Sequence, residues 1–212
     1  MKLYFSCNAN PRLAVAVAKY LAADVQYEFA APQDPTQAER YRHLNPNLLL
    51  PILEGPARPL WEADAIACFL SRRTGSSFWR TDDEEPEMIR WISWGKEGFV
   101  RATETVQWEL GTKRRYNIGP TDHDAVAEAT NQFHANAKIL DAELANRDWL
   151  VGDAVSYADF RMATYLPYND VARLPIEDYP AIARWNARLE AIPEWADPFV
   201  GLTAPPLPPV PR

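Results

Sequence analysis

The sequence predicts two domains, an α/β domain at the N-terminus and an all-α domain after it. Strand and helix patterns alternate up to about residue 75, and a segment rich in serine, acids and proline follows. Beyond that segment, apolar residues recur at helical spacing. A chain of 212 residues can give each domain a core. We place the α/β domain at 1–75, a linker at 76–86, the helical domain at 87–202 and a proline-rich tail at 203–212.

The elements of the first domain follow the order β-α-β-α-β-β-α. In sequence they are a strand at Lys2–Phe5, a helix from Pro11 to Leu21, a strand at Tyr27–Phe29, a short helix over 37–44, strands at Pro51 and Leu60, and a helix ending at Gly75. Pro11 suits the first helical position, because the N–H that proline lacks has no intrahelical acceptor there. Gly75 suits the left-handed residue after a helix. This order is typical of the thioredoxin-like fold.

In the second domain, apolar residues recur in steps of three and four. The clearest stripe comprises Val126, Ala129, Phe133, Ala137, Leu140 and Leu144. Such spacing predicts one buried helix face. A second helix is predicted from the acids before Pro86 through to Phe99. The basic run Lys113–Arg115 lies between glycines and is predicted to be a solvated loop.

A further helix start is predicted from a capping box. Ser156 can cap the amide of Asp159, and the Asp159 carboxylate can reach back to the Ser156 amide. Val155 and Phe160 occupy the positions of a hydrophobic staple. We expect this motif to have a structural role.

The segments around Pro51 and Glu62 predict a binding site. Proline cannot donate to a sheet ladder, so Pro51 belongs at the first residue of a strand or at an edge. A cis bond before it would turn the Leu50 backbone outward, where an extended peptide could pair with it. A helix starting near Glu62 offers N–H groups for a carboxylate, beside acidic side chains that suit an ammonium group.

These segments, the element order and the capping box together resemble the glutathione S-transferase superfamily, over the chain up to about residue 200. The resemblance implies glutathione transferase architecture, with a thioredoxin-like domain followed by a helical one. It also implies that glutathione is the co-substrate and is held by Leu50, Pro51, Glu62 and Ala63. The implied reaction joins the glutathione thiolate to a small hydrophobic electrophile, and the implied assembly is a homodimer.

The same resemblance places the thiol contact in the turn Ser6–Arg12, where a helix N-terminus favours a thiolate. Asn10 is the first candidate, followed by Cys7 and Ser6. Asn10 also caps the predicted helix well before Pro11, and Cys7 also suits a small buried position. The turn is most similar to that of the transferase-like domain of the elongation factor gamma subunit.

Two positions depart from the family pattern. Leu49 stands where the family has a lysine or glutamine that reaches a glutathione carboxylate, and Ala63 replaces a serine. A hydrogen bond to a charged group contributes about 1.5–3 kcal/mol. Two such losses would weaken binding roughly a hundredfold to ten-thousandfold. Arg12, Arg40 and Arg42 are candidates to replace the missing cation.

Composition and charge argue against several other classes of protein. A net charge of −7 argues against a nucleic-acid surface, and no apolar run is long enough to span a membrane. Two cysteines and the lack of a signal-peptide pattern favour the cytoplasm. The three histidines are scattered, so no metal site is expected.

Two alternative functions stay open. Leu49 and Ala63 favour a non-catalytic dimerisation or scaffold module with the same fold. Cys7 allows a thiol transferase, which would require a low thiol pKa. For the transferase, the aromatic helix residues Trp91, Trp94, Phe99 and Trp108 are candidates for contact with the electrophile or for ordinary core packing.

Overall fold

The computed structural model describes residues 1–211 and divides the chain into two compact units. The first unit contains Met1–Trp79 together with Pro193–Pro206. The second contains Arg80–Ile192 and, among the described residues, 207–211. A small mixed sheet lies in the first unit, and the second is helical, which confirms the predicted fold class. Over residues 1–211, no helix is both long and apolar enough to cross a membrane.

The first unit has the predicted order of elements. They are β1 (Lys2–Phe5), α1 (Ala9–Tyr20), β2 (Gln26–Phe29), α2 (Ala38–Arg42), β3 (Ile52–Glu54), β4 (Leu60–Trp61) and α3 (Ala63–Thr74). The strands lie in the order β2-β1-β3-β4. Strand β2 is parallel to β1, whereas β3 is antiparallel to both β1 and β4. Gly75 ends α3 with φ +68°, as predicted.

Helix α1 begins two residues earlier than predicted. Asn8 is its N-cap residue, and the Asn8 carbonyl accepts a hydrogen bond from the Arg12 N–H at 2.8 Å. Pro11 is therefore the third helical residue, where its missing N–H costs no hydrogen bond because the first four N–H groups lack intrahelical acceptors. The interpretation of Asn10 as the N-cap was wrong, since Asn10 lies within the first turn.

The second unit consists of helices joined by short turns. They are α4 (Glu85–Glu97), α5 (Phe99–Gln107), α6 (Lys113–Tyr116), α7 (His123–Leu144), α8 (Tyr157–Met162), α9 (Asn169–Ala172) and α10 (Pro180–Glu190). The predicted helix through Phe99 is interrupted at Gly98, where a Cβ atom would lie 2.6 Å from Asn136 Oδ1 on α7. The chain thus bends where it passes close to another helix.

The basic run Lys113–Arg115 forms α6, so its prediction as a loop was wrong. A π-helical turn, Trp108–Thr112, leads into this helix. The Lys113 ammonium pairs at 2.7 Å with the buried carboxylate of Glu109, which also accepts the Asp122 N–H at 2.8 Å. This partner one helical turn away accounts for the helix, because (i, i+4) ion pairs stabilise helices.

Buried side chains of α7 and the capping box organise the core of the second unit. The α7 stripe is buried at Ala129, Phe133, Ala137, Leu140 and Leu144. The capping box between Ser156 and Asp159 is present. The Asp159 carboxylate is fully buried and also accepts the Leu150 N–H at 2.9 Å and the Trp185 indole N–H at 3.0 Å. One carboxylate therefore joins a loop and two helices.

Replacing Asp159 should destabilise the protein strongly, because its removal leaves several buried donors unpaired. We expect Asp159→Ala to lower the free energy of unfolding by about 3 kcal/mol. Urea denaturation followed by tryptophan fluorescence measures the change. The control is Asp153→Ala, at an exposed acid in the preceding loop, which should change it by less than about 0.5 kcal/mol. Equal effects of the two variants would contradict this role of Asp159.

Candidate functional site

The register of the sheet brings the predicted site segments to one edge. Tyr4 lies opposite Ile52, and Ile52 lies opposite Trp61. Strands β1 and β4 both end at this edge, and β3 begins there. Ser6 directly follows β1, Pro51 directly precedes β3 and Glu62 directly follows β4, so all three adjoin this edge. We call the three segments Ser6–Asn10, Leu50–Pro51 and Glu62–Ala63 the site edge.

The Leu50–Pro51 peptide bond is cis, as predicted. Strand β3 begins after it, at Ile52, so the Leu50 backbone lies outside the sheet ladder. The side chains of Leu48 and Leu50 pack on a core cluster. Its members are Tyr4, Ala30, Tyr41, Leu44 and Ile52. Leu49, in contrast, is 50% exposed.

Glu62 is the N-cap residue of α3 and is exposed. Its φ of +72° is unusual for a residue with a side chain, and such conformations cluster at functional sites. The Glu62 carboxylate makes no capping hydrogen bond to the helix, so it is presented to solvent. Ala63 is buried as the first residue of α3, whose first N–H groups have no intrahelical acceptors. A carboxylate and backbone donors thus lie side by side.

The three residues predicted to contact the glutathione thiol have different surroundings. Ser6 is half-buried, and its hydroxyl accepts a hydrogen bond from Asn8 Nδ2 at 3.3 Å. Cys7 Sγ donates to the Pro205 carbonyl at 3.4 Å, and burial raises the pKa of the Cys7 thiol. Asn10 is half-buried in the first turn of α1. The sequence placed the N-cap at Asn10 instead of Asn8, whose side chain bonds to Ser6 and makes no capping hydrogen bond to the helix.

The three arginines proposed to replace the missing cation are bound elsewhere. The buried Arg12 guanidinium donates to the carbonyls of Trp195 and Ala196 and lies 4.9 Å from the Trp195 ring centre. Arg40 pairs with Glu28, and Arg42 pairs with Glu39 at 3.0 Å. The observed contacts therefore do not support this replacement.

Residues 193–206 return to the first unit and form what we call the C-terminal strap. It begins with the short helix α11 (Pro193–Ala196), which packs on α1. The Phe199 ring stacks on Phe5 with centroids 5.8 Å apart, and the Val200 carbonyl accepts a hydrogen bond from the Lys19 ammonium. With the contact to Cys7, the strap reaches the turn of the site edge.

The part of the chain that the structure describes shows no cluster of side chains suited to bind a metal ion. Within residues 1–211, no group of three or more histidine, cysteine, aspartate or glutamate side chains is arranged to hold a metal ion. The chemistry available at the site edge comes from backbone N–H and C=O groups, a carboxylate, a hydroxyl and amides.

The helical unit matches a known domain family. The family model for the glutathione S-transferase C-terminal domain matches residues 102–193. Glutathione S-transferase hmp2 of Hypomyces subiculosus is 27% identical over 208 residues, covering 92% of this chain and 95% of that protein. Together, the family model and this relative support the glutathione S-transferase superfamily for this chain.

Members of the superfamily that resemble this chain differ in their named activities. Disulfide-bond oxidoreductase YfcG of Escherichia coli (strain K12) is 22% identical over 143 residues, covering 66% of this chain and 62% of that protein. The solved structure of glutathione S-transferase-I bound with lactoylglutathione has a TM-score of 0.82. It is 18% identical, with 94% of this chain and 98% of that chain covered, so it shows the shared fold.

Removing the end of the strap should make Cys7 more reactive, because it removes the Pro205 carbonyl and uncovers the thiol. We expect a chain ending after Leu202 to be alkylated at Cys7 several times faster than the full chain, because exposure of the thiol removes the burial that raises its pKa and opens access to the sulfur. Iodoacetamide labelling followed by mass spectrometry, in a Cys68→Ser background, measures the rate.

A chain ending after Pro206 is the matched control for this experiment, because it keeps the contact between Cys7 and Pro205. Its labelling rate should equal that of the full chain. If both shortened chains react at the full-chain rate, the strap does not shield Cys7.

Proposed function

We propose that the protein is a glutathione transferase that joins the glutathione thiolate to a small hydrophobic electrophile. The observation that supports the proposal is the strand register, which brings the end of β1, the start of β3 and the end of β4 to one edge of the sheet, next to Ser6, Pro51 and Glu62. Superfamily membership and the neighbour bound with lactoylglutathione support glutathione as the ligand.

In this proposal the amino-acid end of glutathione binds at the start of α3. Its ammonium group faces the exposed Glu62 carboxylate. Its α-carboxylate accepts hydrogen bonds from the backbone N–H groups of Ala63 and Asp64. The cysteine residue of glutathione pairs with the Leu50 backbone beside the cis Pro51. These groups form the predicted glutathione-binding set Leu50, Pro51, Glu62 and Ala63.

Ser6 and Asn10 are proposed to stabilise the thiolate. Ser6 directly follows β1 at the site edge, and Asn10 lies in the first turn of α1, where the helix dipole favours negative charge. The thiolate then attacks the electrophilic carbon, so that a C–S bond forms and the leaving group departs with its bonding electrons. The thiol proton passes to solvent.

The aromatic residues of the helical unit divide into two kinds. Trp91 and Phe99 are buried, which is the core packing that the sequence allowed. Trp108 is 41% exposed and Trp94 is half-buried. We propose that an apolar electrophile contacts Trp94 and Trp108, because exposed aromatic faces suit flat apolar molecules.

A scaffold module remains the second candidate, because Leu49 is exposed and apolar and Ala63 lacks a hydroxyl. A Cys7-dependent thiol transferase is less well supported. Its nucleophile would need a lowered pKa, whereas burial raises the pKa of Cys7 and the thiol donates to Pro205.

We further propose a cytoplasmic homodimer that acts in detoxification. The free cysteines Cys7 and Cys68 suit a reducing compartment. A surface groove of the first unit is lined by apolar residues and by two arginines, Arg72 and Arg73. Helix α4 of a second copy suits this groove, because it carries acids in its first turn and the 47% exposed Ile89.

Glu62, the proposed partner of the ligand ammonium group, and Ser6, the proposed donor to the thiolate, should affect different constants when they are replaced. We expect Glu62→Gln to raise the Kd for glutathione about tenfold, because a charge-assisted hydrogen bond is weakened. Ser6→Ala should lower kcat at least about tenfold with little change in KM, because the thiolate loses a donor. Calorimetry and turnover of a chloronitrobenzene measure the two effects.

The control for both variants is Glu97→Gln, at an exposed acid of α4, which should leave both constants unchanged. No heat with the wild-type chain at millimolar glutathione would contradict the transferase and favour the scaffold. Binding without turnover would also favour the scaffold.

Reversing the charge of the groove should weaken the proposed dimer. We expect the double variant Arg72→Glu with Arg73→Glu to sediment as a monomer at concentrations where the wild type is a dimer. The introduced glutamates would repel the acids of α4 in the second copy. Analytical ultracentrifugation measures the oligomeric state. The control is Arg58→Glu, at an exposed hairpin residue outside the groove. An unchanged dimer in the double variant would place the interface elsewhere.

A further inference from the structure

The two ends of a peptide bound at the site edge meet different surroundings. At one end, the exposed Glu62 carboxylate and the start of α3 suit an amino-acid group, with its ammonium and adjacent carboxylate. A peptide that also pairs with the Leu50 backbone beside the cis Pro51, as in the proposed function, brings its other end toward Leu49. Glutathione carries its second carboxylate at that end.

The groups around Leu49 are apolar or already hydrogen-bonded to one another. Its side chain is 50% exposed, and the neighbouring Leu48 and Leu50 side chains are packed on the core. The Leu49 carbonyl already accepts a hydrogen bond from Asn45 Nδ2 at 2.9 Å. The Asn45 side-chain oxygen is occupied by the Asn47 N–H at 3.0 Å. A carboxylate placed here stays in solvent and gains no charge-assisted hydrogen bond from these groups.

The nearby cations of the first unit are engaged in other contacts. Arg12 binds the strap, and Arg40 and Arg42 pair with glutamates. Among the described residues of this unit, the other lysines and arginines bind the strap or lie toward the opposite end of the sheet. They are Lys2, Lys19, Arg58, Arg72 and Arg73. Helix α3 alone, with 12 residues, separates its last-turn arginines from its start by about 15 Å.

We propose that the site edge selects peptide thiols that have a free amino-acid end and a distal carboxylate that is esterified, amidated or absent. This inference rests on the proposed function and adds the charge of the preferred ligand. The exposed Leu49 side chain contacts the neutral distal group and gains from burying it. The Glu62 carboxylate fixes the direction of the peptide, because only one end of the ligand carries an ammonium group.

Calorimetry on the full chain with glutathione and with its glycyl monoethyl ester tests the proposal. We expect the ester to bind more tightly than glutathione. Leu49→Lys should tighten glutathione binding about tenfold, because it supplies a charged partner, and should change ester binding less than about twofold. The matched control Ala57→Lys adds the same charge in the exposed hairpin between β3 and β4 and should change neither affinity.

A second variant, His43→Ala, tests whether the exposed His43 side chain binds the distal carboxylate of glutathione. It should leave the ratio of the two affinities unchanged. Glutathione binding as tightly as the ester, or more tightly, would overturn the inference and leave the proposed function in place. A ratio that changes in His43→Ala would also overturn it. If neither ligand binds at millimolar concentration, the proposed function falls as well.

Discussion

The register of β1, β3 and β4 is the constraint on which the site depends. Tyr4, Ile52 and Trp61 lie side by side across the three strands. A slip of one residue would turn every side chain of a strand to the other face and expose its buried set. Leu3 and Leu53, both fully buried, pair on one face, while Tyr4 and Ile52 pack in the core cluster on the other. The core therefore fixes where the site segments meet.

Local signals made much of the fold predictable from the sequence. Pro51, Gly75 and the capping box each impose a conformation on their own neighbours, so the cis bond, the end of α3 and the start of α8 follow from a few residues. The start of α1 was misplaced because proline is tolerated throughout the first turn. The break at Gly98 depends on the approach of α7, which no local pattern contains.

The C-terminal strap was beyond sequence reasoning for the same reason. Its contacts join residues about two hundred positions apart, such as Cys7 with Pro205 and Phe5 with Phe199. A proline-rich composition predicts a stiff extended segment and does not identify the surface it covers. The engagement of Arg12 by the strap also removes a cation that the sequence left available to the ligand. Long-range contacts thus decide both the surroundings of Cys7 and the charge of the site.

A crystal structure of the protein with bound glutathione tests the central claim most directly. The account predicts a peptide paired with the Leu50 backbone, its ammonium group at Glu62, its sulfur within hydrogen-bonding distance of Ser6, and its glycine carboxylate directed to solvent near Leu49. Glutathione bound in the reverse direction, or a site edge without ligand at saturating glutathione, would contradict it.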